Sequence, residues 1–514
     1  MSDTQKSLFY LLKGAIYSCG TLFAGVLIGL LLTPYMLSVL GERDYGIYLF
    51  AGLFTGWCGL IDFGLTTAAS RFITLHYTEN DEESLQETGN TALILFAFLG
   101  LIVLAVSGLT ALFMKIFGGS VPDIDLFCIA VLIAGGSFGI SKLGDGLAGI
   151  VNGTMRQELT GSRLFLFRIL YGITSFLILW CGGRVVALMI GNFLLGLIQF
   201  LVFIRLVRIA YPRFRFKTAL FRKKKAKALF GYSVYTFITQ VGNLMIQRSD
   251  LLLILFFLSI EEMTRYNLVV VVFISYFWSF MGALTSWQTN WFTHLYAMKD
   301  KDLFQKSLRI FYKLSIYFTF FMSFGLIFLG KAFITRWIGS EYLAVFPCLV
   351  LCAITEAVCR GHSEINIRLL QGIARHYTAA WLILIQGVAN ILLSIVFVLL
   401  GLGLFGIALG SAIPALLIHH FILPIFVCQI QKESLFLYYR NILKYQVIAG
   451  ICLLLPFGIS KSLAEPNYGN LFLVGCLSFL IYGAGLYLIG FSPEERRWIK
   501  DRFRFCRDEK DPEQ

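Results

Sequence analysis

The sequence predicts an all-α polytopic membrane protein of fourteen transmembrane helices, in two six-helix lobes with two extra C-terminal helices. Of its 514 residues, 58% are hydrophobic and only 14% charged, too little charge to cover a soluble chain of this length. The apolar residues fall into fourteen runs, each near or above the about 20 residues that a helix needs to cross a ~30 Å hydrocarbon core. Features of the first six runs recur in the next six at an offset near 219 residues.

The runs lie at 10–39, 46–70, 91–117, 124–151, 163–182, 185–204, 230–257, 267–295, 309–330, 346–370, 378–400, 404–428, 443–460 and 470–490. Lys6 and Lys13 lead into the first, which continues to Leu40 without a cleavage site, so it reads as a span and not a signal peptide. Between the sixth and seventh lies Arg205–Lys227, RLVRIAYPRFRFKTALFRKKKAK, with ten Lys or Arg and no acid. Such a segment resists translocation and stays in the cytoplasm. An even number of spans then puts both termini there too. On that topology 33 of the 43 Lys/Arg are cytoplasmic and seven external: Arg43, Lys115, Arg184, Arg265, Lys331, Arg336 and Lys461. Three, Lys142, Arg248 and Arg360, stay inside spans. The net charge of +13 is therefore loop charge that orients helices, not a nucleic-acid footprint. Residues 76–90 are assigned to the cytoplasm although acidic (TENDEESLQE), because acids carry little topological weight.

The expected organisation is an N-lobe at 1–204, a basic connection at 205–229, a C-lobe at 230–428, two further spans within 429–490 and a cytoplasmic tail at 491–514. In the tail, Glu494–Arg507 reads as a surface segment with Trp498 and Phe503 dipped into lipid. The repeat pairs Asp145 with Glu364, Asn152 with Gln371, Gly153 with Gly372, Arg156 with Arg375 and Gly191 with Gly410. Six helices per lobe make a parallel repeat, which predicts a central cavity between lobes.

Residues 33–73 carry a Pro late in the first helix (Pro34) and an LG-x-x-x-YG-x-Y turn (Leu40, Gly41, Tyr45, Gly46, Tyr48). A D-x-G follows (Asp62, Gly64), then a small-residue run before Arg71. In these features and in its six-plus-six-plus-two layout the chain resembles bacterial polysaccharide flippases of the Wzx kind. These belong to the multidrug/oligosaccharidyl-lipid/polysaccharide exporter superfamily, whose fold is MATE-like. The resemblance implies translocation of an undecaprenyl-diphosphate-linked oligosaccharide across the bacterial inner membrane, for O-antigen (lipopolysaccharide), capsule or another glycan. It implies a monomer that works beside glycan polymerase and chain-length partners, needs no cofactor and couples to H+ or Na+.

The intramembrane polar residues are the candidate site, since a charge at mid-bilayer costs ~3 kcal/mol even on lenient scales. The seventh run places Gln240, Asn243, Gln247 and Asp250 on one helix face, with Arg248 one position round. Arg248 reads either as half of a buried pair with Asp250 or as a cavity-lining group for an anionic headgroup. In the tenth run Glu356, Arg360, Glu364 and Arg368 recur every four residues, as a self-neutralising ladder or as a switchable network. The fourth run has Lys142 and Asp145 three apart, and Asp62 lies near Thr66 and Ser70. Arg248, Lys142 and Arg360, with Gln240, Asn243 and Gln247, are the candidates for diphosphate and sugar. Asp62, Asp145, Asp250, Glu356, Glu364 and Arg368 are those for ion coupling or salt bridges.

Other chemistries find no support. GLGLFG at 401–406 joins two apolar helices with no strand before it. Adjacent His419 and His420 point about 100° apart on a helix and lack zinc-ligand spacing. The eleven Cys show no paired spacing and read as small buried residues. No Walker-type loop is present, so no ATP site is carried on this chain, and the favoured function is a secondary-transport flippase. A cation antiporter of the same superfamily is the first alternative, and 10–39 lacks the carboxylate its best-known branch uses. A glycan polymerase or ligase is the second, but the longest external connection, Lys331 to Val345, is short for one.

Overall fold

A computed structural model describes residues 3–62, 65–117, 123–231, 234–285, 288–289, 292, 301–373, 375–460 and 467–496. These residues are helical with short turns, and none of them forms a strand. Among the described residues, twelve helical segments are long and apolar enough to cross a membrane. The sequence count is fourteen, and the difference has two sources. The segment Gly20–Asp62 is 43 residues long and breaks at Gly41 (φ 76°, ψ 169°), a conformation that favours glycine. Val234–Phe257 is a 24-residue helix whose polar stripe keeps it out of the twelve. Trp498 and Phe503 lie outside the described residues.

The chain divides into two compact units, Met1–Thr264 and Arg265–Gln514. In the first, α1 (Asp3–Cys58) leads through a 3₁₀ turn (Gly59–Asp62) to α2 (Leu65–Thr78) and α3 (Glu82–Phe117). Then come α4 (Ile124–Gly153), α5 (Gln157–Trp180), α6 (Val185–Ala210), α7 (Lys223–Gly231), α8 (Val234–Phe257) and α9 (Ile260–Tyr266), across which the units divide. The basic connection at 205–229 therefore lies within the first unit, and α8 with it. Glycine packs α3 on α4: a Cβ on Gly100 would lie 3.0 Å from the Gly139 carbonyl oxygen, and one on Gly139 3.2 Å from that of Gly100. Close helix approach of this kind is how helices associate in lipid.

The acidic start of α3 meets the basic connection directly. Arg213 Nη1 lies 2.5 Å from Glu82 Oε1 and Arg222 Nε 2.6 Å from Glu87 Oε1. The backbone N–H of Lys217 donates to Asn90 Oδ1 at 2.8 Å, and that of Arg222 to Thr91 Oγ1 at 3.1 Å. Phe214 is buried with Ile73, Leu85 and Ile150. Residues 76–90 and 205–227 thus share one side of the unit. Solvent screens exposed ion pairs such as these, so the buried Phe214 and the backbone hydrogen bonds hold the junction more than its charges do. The Glu82 bond keeps the exposed Arg213 guanidinium above its ordinary pKa.

The second unit contains α10 (Val272–Thr285), α11 (Lys301–Phe324), α12 (Gly330–Trp337), α13 (Phe346–Gly372), α14 (His376–Leu399) and α15 (Gly403–Ala415). A π-helical stretch (Leu416–Ile422) leads to α16 (Leu423–Gln431), then α17 (Leu435–Cys452), α18 (Leu454–Ser460) and α19 (Tyr468–Gly485). The supposed open connection from Lys331 to Val345 is mostly helix, α12 followed by a 3₁₀ turn (Ser340–Val345). Lys313 Nζ pairs with Glu495 Oε2 at 2.7 Å, which fastens the end of the described chain to α11.

The offset of 219 is reproduced in backbone detail. α4 and α13 end at Gly153 and Gly372, while α5 and α14 run Gln157–Trp180 and His376–Leu399. The Arg156 N–H donates to the Val151 carbonyl (3.3 Å) as that of Arg375 does to Leu370 (2.8 Å). Gly182 and Gly401 take φ of 83° and 84° at the matching turns.

Candidate functional site

Arg168 is the twelfth of the 24 residues of α5, roughly 17 Å from either helix end at 1.5 Å per residue. It lines a cavity of about 410 Å³ with Tyr45, Tyr48, Tyr171, Ser175 and Asn192. Space for its guanidinium comes from Gly25, where a Cβ would lie 2.8 Å from Nη2. Among the described residues Arg168 has no carboxylate partner. The LG-x-x-x-YG-x-Y turn builds part of this wall. Gly41 breaks α1, and Tyr45 and Tyr48 then face the cavity. A Cβ on Gly46 would lie 2.5 Å from Ile260 Cγ1, so that position must stay small.

The same helix pair bears an apolar groove of about 800 Å³, where Phe23, Leu27 and Leu31 of α1 face Phe176 of α5. Ile28, Leu32 and Gly172 line both spaces. A cationic, aromatic-walled cavity thus adjoins a groove with almost no polar surface.

The remaining candidates of the first unit lie farther along. Lys142 Nζ contacts Asp145 Oδ2 at 2.8 Å and lies 5.1 Å from the Phe138 ring centre. Asp62 is buried and accepts from Thr66 Oγ1 at 3.2 Å. Arg248 Nε would be 3.6 Å from a Cβ on Gly56, and Arg248 has no ion pair with Asp250 or another described residue. The α8 stripe is not one exposed face: Asn243 and Gln247 are exposed, Gln240 is half-buried and Asp250 is buried. The stretch 249–254 of α8 is mostly buried, whereas Asn243 and Gln247 before it are exposed.

In the second unit the ladder is closed. Arg360 Nε contacts Glu356 Oε2 at 2.9 Å, and Arg368 Nη2 contacts Glu364 Oε1 at 2.7 Å. Arg360 Nη1 lies 3.7 Å from Glu364 Oε2. Its guanidinium sits 4.6 Å from the centre of the Trp278 ring, and Thr285 Oγ1 donates to Glu364 at 3.3 Å. Two cations and two anions neutralise one another here.

Sequence reading passed over Arg168, counted with the helix ends because the fifth run was started at 163. The signal was present: Arg168, Tyr171 and Ser175 recur at i, i+3 and i+7, the spacing of one helix face. It also passed over His362, which meets His420 from 58 residues away.

A family model described as polysaccharide biosynthesis protein matches residues 11–284. An uncharacterized membrane protein of Methanocaldococcus jannaschii, MJ1068, is 22% identical over 458 residues, which cover 83% of this chain and 84% of that protein. The fold is similar to that of the lipid II flippase MurJ in an inward closed conformation (TM-score 0.69, 19% identity, 92% of this chain and 98% of that chain). It is also similar to an inward-facing MATE-family multidrug resistance transporter of the MOP superfamily (TM-score 0.61, 14% identity, 82% of this chain and 99% of that one).

Proposed function

The chain belongs to the polysaccharide biosynthesis protein family, and on that premise we propose that it flips a polyprenyl-diphosphate-linked oligosaccharide, of the undecaprenyl type, across the bacterial inner membrane by ion-coupled alternating access. The observation that carries the reading is the Arg168 cavity with its adjoining apolar groove. Such a substrate joins an anionic diphosphate to sugars at one end and a hydrocarbon at the other. A guanidinium matches phosphate oxygens with a bidentate fork, tyrosines stack on sugar faces, and a prenyl chain fits an apolar groove. Arg248, which has no ion pair among the described residues, is a second candidate cation for the headgroup.

The cation-antiporter alternative fits less well, because Arg168 would repel a cationic drug and no carboxylate lines its cavity. The test is transport in vesicles containing the purified protein. Exposure of a polyprenyl-diphosphate oligosaccharide to an external lectin should require the protein, and a lipophilic cation should neither move nor compete. Cation export without glycan-lipid flipping would overturn the proposal.

A further inference from the structure

The second unit contains a buried chain of side chains that the ladder does not use. Tyr312 OH donates to Asn366 Oδ1 at 2.5 Å, and Asn366 Nδ2 donates to Tyr438 OH at 3.0 Å. Tyr438 OH lies 3.0 Å from His362 Nδ1, and His362 Nε2 lies 3.0 Å from His420 Nδ1. His362, Asn366, Tyr438 and Tyr312 are all buried, while His420 at the end of the chain is half-buried. The five residues come from α11, α13, the Leu416–Ile422 π-helical stretch and α17. π-Helical turns of this kind are frequent at functional sites. Tyr439 OH also donates to the His420 carbonyl oxygen.

Donor and acceptor rules allow two orders. Tyr438 accepts from Asn366, so its own proton goes to His362 Nδ1. His362 then carries its proton on Nε2 and donates it to His420 Nδ1, which leaves the neutral His420 proton on Nε2. The reverse order fits the same heavy atoms. His420 Nδ1–H donates to His362 Nε2, His362 Nδ1–H to Tyr438, and Tyr438 to an Asn366 amide turned over so that its nitrogen donates to Tyr312. Every contact within the chain keeps one donor and one acceptor in both orders. A doubly protonated His420 is compatible only with the second, because its Nδ1 no longer accepts.

We propose that His420, backed by His362, is a proton-binding site, and that one bound proton reverses the hydrogen-bond order of the whole chain. The balance is one proton gained and one positive charge added, with one proton kept on each of the other groups. The proton adds at Nε2 of His420, the less buried end, from the second order, in which the neutral His420 carries its proton on Nδ1 and Nε2 is vacant. The ionisable groups facing the chain are Cys428 and Glu433 beside Tyr312, with Arg309 beside Glu433. Tyr439 lies against His420, His419 near His362, and Arg360 near His419. None of the five chain members is a carboxylate, so the added charge is not cancelled within it and falls on the contacts of four helical segments at once. As the coupling ion of transport, this proton rests on the function proposed above; as a bound proton it does not.

The experiment is ¹⁵N-histidine NMR of the full-length protein in bilayers from about pH 9 to about pH 4, across the range in which imidazole titrates. The chain has six histidines, and His362→Gln and His420→Gln assign the two signals. The expected result is that His362 holds its proton on Nε2 at high pH and switches to Nδ1 in the same step in which His420 becomes doubly protonated. Tyr438→Phe should uncouple the two events. A His420 that never takes a second proton, or a His362 tautomer that stays unchanged while His420 titrates, overturns the proposal. In vesicles, His420→Gln should still flip lipid at equal pH but lose its acceleration by a pH gradient. If the wild type flips nothing while the NMR switch is seen, the flippase reading fails and the proton site stands.

Discussion

Arg168→Ala removes a cation whose full charge is open to a ligand, because no described carboxylate competes for it and its cavity of about 410 Å³ has room for a phosphate with water. Hydrogen bonds to charged groups contribute ~1.5–3 kcal/mol each. A two-pronged fork, partly replaced by water in the variant, should therefore lose about 3 kcal/mol, or roughly 150-fold in affinity. At substrate concentrations below saturation the flipping rate should fall by the same factor. Insertion should not suffer, since a mid-bilayer Arg costs ~3 kcal/mol that Ala avoids. Gly25→Val provides a graded control. Its Cβ would lie 2.8 Å from Nη2, so the guanidinium keeps its charge but leaves its seat, and a loss of about tenfold is expected, or ~1.4 kcal/mol. The assay is the initial rate of lectin-detected flipping at matched protein abundance. Wild-type rates in Arg168→Ala would refute the headgroup assignment. Wild-type rates in Arg168→Lys would refute the bidentate argument, since an ammonium cannot form the fork.

Arg248→Ala should accumulate normally yet flip at least tenfold more slowly, with Arg248→Lys intermediate; equal rates at equal abundance would make Arg248 structural. Phe214→Ala should destabilise the first unit by about 3–4 kcal/mol, whereas Glu82→Gln, at a solvent-exposed pair, should leave its stability almost unchanged, read as thermal unfolding in detergent; the reverse ranking would show that charge holds the connection. Gly139→Val should force α3 from α4, because a Cβ there already lies 3.2 Å from the Gly100 carbonyl oxygen. A melting temperature unchanged from wild type would show that the two backbones can separate freely.

The helices were legible because apolar length is written directly in the residues. The repeat was legible for a related reason: the turns NGTMRQ and QGIARH both close helices with the same backbone hydrogen bonds, which constrains their glycines and arginines alike. The Glu356–Arg368 ladder was legible because its partners lie one turn apart on a single helix. What stayed hidden depends on helix ends and on partners distant in sequence. The polar stretch QELTGSR looks like a loop but forms the first turns of α5, and so Arg168 passed for an end residue. His419 and His420 were weighed against each other, when the partner of His420 was on α13. The α8 stripe was read from angle alone, and angle does not reveal that Asp250 turns into the unit.

The two units treat intramembrane charge in different ways, and the difference bears on function. In α13 each carboxylate has a guanidinium within 4 Å, so the ladder has no net charge to offer a ligand. Removing one member would strand its partner, at ~3–5 kcal/mol for a buried pair, which makes the ladder a poor place for a group that must bind and release. Lys142 is likewise bound to Asp145. Arg168 and Arg248 have no such anion among the described residues, and an unpaired mid-span cation is costly enough that it needs water or a ligand to hold it. The proposed substrate, with its two phosphates, would supply that charge, and once it left, water in the Arg168 cavity could take its place. The hydrogen-bonded chain from Tyr312 to His420 is the complement: it contains no carboxylate, and in the proposal above it gains charge only with its proton. If the first unit binds an anion and the second a proton, as proposed, the two can be varied separately, and Arg168→Ala and His420→Gln should impair different steps, the first at every pH and the second only when a pH gradient is imposed.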